Sequence, residues 1–259
     1  MCGRYTLTQP SELIQEIGLE GFQTSEDASH LSPDGPHALS PLLLKPRYNI
    51  APTQPAPIVR NATDDRITTP REATLLRWGL VPFWAKDLDI GHRMINARCE
   101  TLAEKPAFKG AYKYRRCVVL ADGFYEWKKI DGAKQPFHIH LAGRQPFAMA
   151  GLWENWNKGP EGPVETFTVI TTEANSRVAE LHNRMPVILD QEGIDAWLDP
   201  KQRPAELQGF LRPYDPDAMA FSPVSKEVNS PRNESPDLVT PIELAPAKPP
   251  AGVQGTLFD

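Results

Sequence analysis

The stretch that most constrains the fold is residues 116–171, where short apolar runs are separated by turn residues. Arg116–Ala121 is a β-branched run, Asp122-Gly123 follows it, and the aromatic segment Phe124-Tyr125-Glu126-Trp127 comes next. A second Asp-Gly at 131–132 precedes an expected strand at His138–Leu141, Gly143 precedes a run at 147–153, and another strand is expected at 166–171. Both Asp-Gly pairs read as turns, because Asp and Gly tolerate the positive φ that a tight hairpin demands. Four or more strands in succession predict a mainly antiparallel sheet, curled or barrel-like so that both of its faces are covered. Further strands are expected at 5–8, 56–60, 73–80, 186–189 and 218–224. Helical patterns at 11–17, through about 103, and at 175–182, 191–198 and 204–211 lie around this core, so the class is α+β with peripheral helices. A single domain is expected over 1–229. Residues 20–46, rich in Pro and Gly without a period, read as a surface insertion, and 230–259 as a disordered Pro-rich tail.

Composition narrows the setting. No run approaches the ~18 apolar residues of a membrane span, and the start lacks the charged and apolar regions of a secretory signal, so a soluble, cytoplasmic monomer is expected. Cys2, Cys99 and Cys117 are an odd set with no C-x-x-C spacing, which argues against a disulfide framework and a zinc site. His138 and His140 share a strand face but have no third ligand, so neither metal nor cofactor is expected. The net charge of −5 is unevenly spread: residues 93–129 hold nine Lys/Arg against four acids, whereas 130 onward holds eleven against eighteen. A local basic face of this kind can hold a polyanion, or it can be a solvated helix face.

Cys2 carries the most specific chemistry. Removal of Met1 would leave a terminal cysteine whose amine titrates near ~7.7–8 and whose thiol titrates near ~8.5. An amine condenses with an aldehyde, and a thiol two carbons away closes on the imine to a five-membered thiazolidine, so the terminus is an aldehyde trap or an N-terminal nucleophile. Glu126, between two aromatics, suits proton transfer or simply faces solvent. His182 is a proton shuttle or a capping histidine. Asn96 and Arg98, two apart, share a face if extended, where an amide and a guanidinium can hold a phosphodiester or a sugar hydroxyl. Trp78, Phe83 and Trp84 are core or a stacking surface.

Six motifs in order sharpen this: Cys2-Gly3-Arg4, residues 47–52 (RYNIAP), 77–82 (RWGLVP), 96–101 (NARCET), 122–127 (DGFYEW) and 181–186 (LHNRMP). Together they resemble the SOS-response-associated peptidase (SRAP) family, whose members covalently trap abasic sites in single-stranded DNA, over residues 2 to about 225. The resemblance implies Cys2 as the nucleophile that forms the thiazolidine, Asn96 against the crosslinked sugar, Glu126 for proton transfer and His182 for ring opening and reversal. It also implies DNA contacts by Arg4, Asn49, Arg77 and Arg98, with Pro52, Trp78 and Trp127 walling the site or stacking on bases. The expected partner is therefore single-stranded DNA containing abasic sites, and the activity is lyase-like crosslinking in an SOS-type damage response. Two alternatives stay open: an N-terminal-nucleophile (auto)peptidase using Cys2, Glu126 and His182 on an amide, and a non-covalent reader of modified bases. Finally, Gln254, Leu257 and Phe258 at the C-terminus are spaced like the Gln-x-x-Leu-Phe peptides that dock on the bacterial sliding clamp.

Overall fold

Apolar runs become two sheets in the computed structural model, which describes residues 2–10, 45–61, 71–159 and 162–244. In chain order the strands are β1 (Tyr5–Leu7), β2 (Arg47–Ile50), β3 (Pro55–Asn61), β4 (Arg71–Trp78), β5 (Asn96–Arg98), β6 (Arg116–Ala121), β7 (Gly123–Ile130), β8 (Ala133–Leu141), β9 (Phe147–Trp156), β10 (Val164–Glu173), β11 (Arg184–Pro186), β12 (Ile188–Leu189) and β13 (Met219–Pro223). Two α-helices among the described residues, α1 (Pro106–Tyr114) and α2 (Gln191–Leu198), complete an α+β architecture dominated by sheet.

The pairings β3–β4, β4–β10, β10–β9, β9–β6 and β6–β3 return to their start, so these five strands close into a barrel. Only β4–β10 in that circuit is parallel. Closure covers one face of β6, and α1, α2 and β1 pack against that strand as well. This explains why β6 is buried at every position, reading as a continuous apolar run and not as an alternating one. The second sheet has the order β13-β8-β7-β1-β2. Arg116, at the start of β6, donates to the carbonyls of Tyr112 and Lys113 at the end of α1, and to Trp197 and Asp199 at the end of α2, so one buried guanidinium fastens both helices to the barrel. No helix among the described residues is long and apolar enough to cross a membrane.

The two Asp-Gly pairs do different things. Asp131 (φ 48°) and Gly132 (φ 81°) make the tight turn between β7 and β8. Asp122-Gly123 is not a hairpin turn: β6 belongs to the barrel and β7 to the other sheet, so the chain changes sheets there. Gly123 is required for room, because a Cβ would lie 2.1 Å from His138 Nε2 and 2.9 Å from Thr6 Oγ1. The Asp122 carboxylate accepts from the hydroxyls of Thr6 (2.5 Å) and Thr8 (2.7 Å) and from the amides of Thr8 and Gln9, which closes the end of β1.

Three expected helices also change. Only a 3-10 turn forms at Cys99–Thr101, and Pro106 starts α1 where it was expected to end a helix, since a proline fits the first helical turn, where its missing N–H costs nothing. The patterns at 175–182 and 204–211 yield 3-10 turns at Val178–Glu180 and Gln208–Phe210, the latter segment holding Pro204 and Gly209. In contrast, α2 matches its expected bounds, capped by Asp190 Oδ1 accepting from Gly193 N at 2.8 Å. The tail expected to be irregular from 230 is folded as far as residue 244: Pro236–Val239 is a 3-10 turn, Leu238 is buried, and Val224 bridges to Pro241. The helix expected at 11–17, the insertion up to residue 44, and Gln254, Leu257 and Phe258 lie outside the described residues.

Candidate active site

The site forms where the two sheets meet. β1 pairs with β7 through Tyr5 and Phe124, and the Tyr125 amide donates to Arg4 O at 2.9 Å. That register lays Cys2–Arg4 along the aromatic end of β7, beside Glu126. The Cys2 side chain is fully buried, with Sγ 3.8 Å from Arg4 O. Burial pushes the Cys2 thiol far above its ordinary range and the nearby Glu126 carboxylate pushes it further, so at neutral pH the sulfur carries its proton.

Asn96 and His182 arrive from the barrel side. β5 runs parallel to β10, with Asn96 opposite Val169 and Arg98 opposite Thr171. Asn96 Nδ2 donates to Cys2 O at 2.8 Å, and its Oδ1 is buried with no partner among the described residues. Arg98, two positions on, is exposed, while Ala97 between them points into the core, as an extended segment requires. His182 follows the Val178–Glu180 turn, and its Nδ1 lies 3.9 Å from Glu126 Oε1. The Arg184 amide donates to the same Nδ1 at 3.0 Å, closer than the 3.3 Å to Arg184 O, so the neutral ring carries its proton on Nε2. Arg184 itself is anchored to both Glu100 oxygens (2.5 and 3.0 Å) and to Thr171 O (2.6 Å), tying the His182 turn to the segment that bears Asn96 and Arg98. This pairing holds the Glu100 carboxyl below its usual range. Sequence reasoning did not single out Arg184 or Glu100, although both stand inside quoted motifs.

The residues expected on DNA divide. Arg4 donates to Asn49 Oδ1 (2.8 Å), Val228 O (2.7 Å) and Asn229 O (3.2 Å), all neutral acceptors, so it is held in place while its charge is not neutralised. Pro52 and Trp127 are half-buried, Trp127 Nε1 donating to Asn229 Oδ1 at 2.7 Å. Arg77 donates to Thr53 O at 2.9 Å and so braces the turn that carries Pro52. One expectation needs correction, and one left open between core and stacking is narrowed. Asn49 is wholly buried, its amide spent on Arg4 and on the carbonyls of Val228, Ser230 and Asn233, so it cannot reach a ligand. Trp78 has no exposed ring face: it packs edge-on to Tyr5 at 5.1 Å and donates to Ile95 O, which makes it a wall of the core and not a stacking platform. The exposed aromatics of that stretch are instead Phe83 (60%) and Trp84 (44%), on the loop that joins β4 to β5. The two histidines are likewise occupied: His138 Nε2 meets Thr6 Oγ1 at 3.1 Å and His140 Nδ1 meets Leu141 O at 2.7 Å, and no group of three or more potential ligands forms among the described residues.

At the sheet junction the fold thus gathers a buried cysteine, a buried carboxylate, an amide and an imidazole. Comparison with known families makes this specific: the family model described as SOS response associated peptidase (SRAP) matches residues 1–231, and the chain belongs to that family. Among its relatives is the abasic site processing protein YoqW of Bacillus subtilis, 42% identical over 243 residues, covering 92% of this chain and 99% of that protein. The abasic site processing protein HMCES of Gallus gallus is 37% identical over 233 residues, covering 79% of this chain and 68% of that one. A crystal structure of a protein from Bacteroides thetaiotaomicron superposes with a TM-score of 0.74 at 27% identity, over 93% of this chain and all of the other.

Proposed function

We infer that this chain, once Met1 is removed, captures abasic sites in single-stranded DNA as a covalent thiazolidine on Cys2. The observation that carries the reading is the convergence of Cys2, Asn96, Glu126 and His182 from separate elements: Asn96 Nδ2 donates to Cys2 O at 2.8 Å, β1 pairs beside the start of β7 that bears Glu126, and His182 Nδ1 lies 3.9 Å from Glu126 Oε1. The relatives' names, abasic site processing protein, support the substrate class.

The chemistry balances with these groups alone. The Cys2 amine adds to the ring-opened sugar aldehyde, and the carbinolamine loses water to give the imine. The thiol then adds across C=N, its sulfur bonding to carbon and its proton passing to nitrogen. Because the thiol is protonated where it sits, that proton needs a carrier, and Glu126 is the carboxylate beside it. His182, its ring fixed by Arg184 N, assists proton movement at the sugar during opening and reversal. The buried Asn96 Oδ1 offers an acceptor to the amine or to a sugar hydroxyl. Single strands are preferred because Phe83 and Trp84 offer faces on which unpaired bases stack, worth ~1–3 kcal/mol per base. Intact-mass measurement of the mature protein with an abasic single strand tests this: a heat-stable adduct that loses one water is expected, and Cys2→Ala should abolish it. A stable adduct with Cys2→Ala would sink the thiazolidine.

The C-terminal Gln254, Leu257 and Phe258 add a proposed docking peptide for a bacterial sliding clamp, which would raise the local concentration of the trap at a fork. A 230–259 peptide should bind a clamp, and its Leu257→Ala/Phe258→Ala version should not.

A further inference from the structure

We propose that residues 228–238 form a strap that sets the position of the Cys2–Arg4 arm, and that Asn49 and Glu234 are positioning residues for the covalent step. Part of this segment lies past residue 231, where the family match ends. Among the described residues β2 is an edge strand, and its outward amides need acceptors. The Glu234 carboxylate provides them: it accepts from the amides of Tyr48 and Asn49 (3.1 Å) and pairs with Arg47 at 2.9 Å, replacing a neighbouring strand by one side chain.

Asn49 is the hub. Its Nδ2 faces Val228 O (3.3 Å), Ser230 O (2.9 Å) and Asn233 O (2.9 Å), while its Oδ1 receives Arg4 Nη1 at 2.8 Å. Val228 O and Asn229 O accept from the same guanidinium, so the strap and β2 grip Arg4 from two sides. An apolar seat holds the strap down: Val228 and Leu238 are fully buried with Tyr125 and Val224, and the Tyr125 hydroxyl donates to Tyr48 O at 2.8 Å. Arg4 O in turn receives the Tyr125 amide and faces Cys2 Sγ. Strand pairing lends the arm little beyond the Tyr125 amide on Arg4 O, since β1 begins at Tyr5. The strap's carbonyls on the Arg4 side chain therefore act with the Tyr125 amide on Arg4 O and Asn96 Nδ2 on Cys2 O in fixing where Cys2 sits.

The chemical consequence rests on the abasic-site reading, whereas the positioning does not, and the test separates them. In the mature protein, alkylation of Cys2 by a small maleimide is followed by mass of the N-terminal peptide, alongside the rate of adduct formation with saturating abasic single strand. Asn49→Ala and Glu234→Ala should each raise the alkylation rate about tenfold by letting the arm open locally. Adduct formation should fall on the order of tenfold to a hundredfold through misplacement of the nucleophile. Glu234→Gln, which keeps an acceptor for the two amides, should lie between Glu234→Ala and the native protein. Ile194→Ala on α2, remote from the arm, controls for general loss of stability and should change neither rate at temperatures where it is folded. Should Asn49→Ala fail to fold, the Glu234 pair carries the test. Rates within about twofold of native for both Ala variants, or equal effects from Ile194→Ala, would overturn the strap. If the native protein forms no adduct, the proposed function fails, and the alkylation rates still decide whether the strap positions Cys2.

Discussion

Glu126 and His138 both stand buried on adjacent strands, and they illustrate two opposite uses of a buried titratable group. Glu126 is buried within electrostatic reach of the Cys2 thiol, and the proposed thiazolidine step asks it to carry that thiol's proton. Glu126→Gln preserves the shape and removes the proton carrier, and single-turnover adduct formation should slow by roughly 10²–10⁴-fold. An unchanged rate would take Glu126 out of proton transfer. His138 serves structure. Burial, aided by His140 and Arg144, pushes its pKa down to about 3, against ~6.5 in an unfolded chain. Between those values the unfolded state binds the extra proton, so stability rises with pH. It is fully present above ~6.5 and is lost as pH falls toward the folded value, at about 1.4 kcal/mol per unit. Going from about pH 7 to about pH 5 should therefore cost on the order of 2 kcal/mol in urea unfolding. His138→Gln, which can still donate to Thr6 Oγ1, should flatten that slope. A slope that is the same in both proteins would assign the acid loss to other groups.

At the scale of elements, the barrel is held to its helices by a cation and not by apolar contact alone. Arg116→Met keeps the stem but strands carbonyls at the ends of α1 and α2, and should destabilise by about 3 kcal/mol, measured by chemical unfolding. A loss under about 1 kcal/mol would mean those carbonyls find other donors. Which elements were legible in the sequence follows from the same kind of detail. β6 was legible because it is apolar and buried along almost its whole length, and α2 because Asp190 announces its start. α1 was not, since Pro106 punctuates a helix end and a helix start alike. Asp122-Gly123 misled because the dipeptide signals a glycine requirement without saying whether φ or space demands it, and here space does. In the site, the motifs brought Cys2, Asn96, Glu126 and His182 into view, but Trp78 and the Phe83-Trp84 pair could not be told apart without knowing which way the chain turns at Gly79 (φ 114°). The role of Asn49 was invisible because its partners are mostly backbone carbonyls of residues 228–233, which leave no pattern in sequence.

For the whole molecule, the question is how a chain of net charge −5 holds a polyanion. The basic stretch at 93–129 is not one face. Arg116 is buried on carbonyls and Arg115 pairs with Glu154 at 2.7 Å, so both are withdrawn from any ligand. What remains exposed is Arg93, Arg98, Lys105, Lys109, Lys113 and Lys129, of which Arg98 stands two positions from Asn96 and the lysines at 105, 109 and 113 lie on and before α1. Arg4 adds a charge held only by neutral oxygens near Cys2. Arg4 and Arg98 thus lie on the segments that carry Cys2 and Asn96, where a phosphodiester chain bound at the proposed site would meet them. Each phosphate contact releases counterions, so the dependence of log affinity on log salt counts contacts, at roughly 0.7 per phosphate for a single strand. Arg98→Ala should flatten that slope by about 0.7 and weaken binding most at low salt. Arg115→Ala removes an equal formal charge from the same stretch and should leave the slope unchanged, because its partner is already Glu154. Titrations of an intact single strand at several salt concentrations check both variants. Equal flattening by the two would mean that DNA senses the stretch as a diffuse field; no change for Arg98→Ala would place the phosphates elsewhere on the surface.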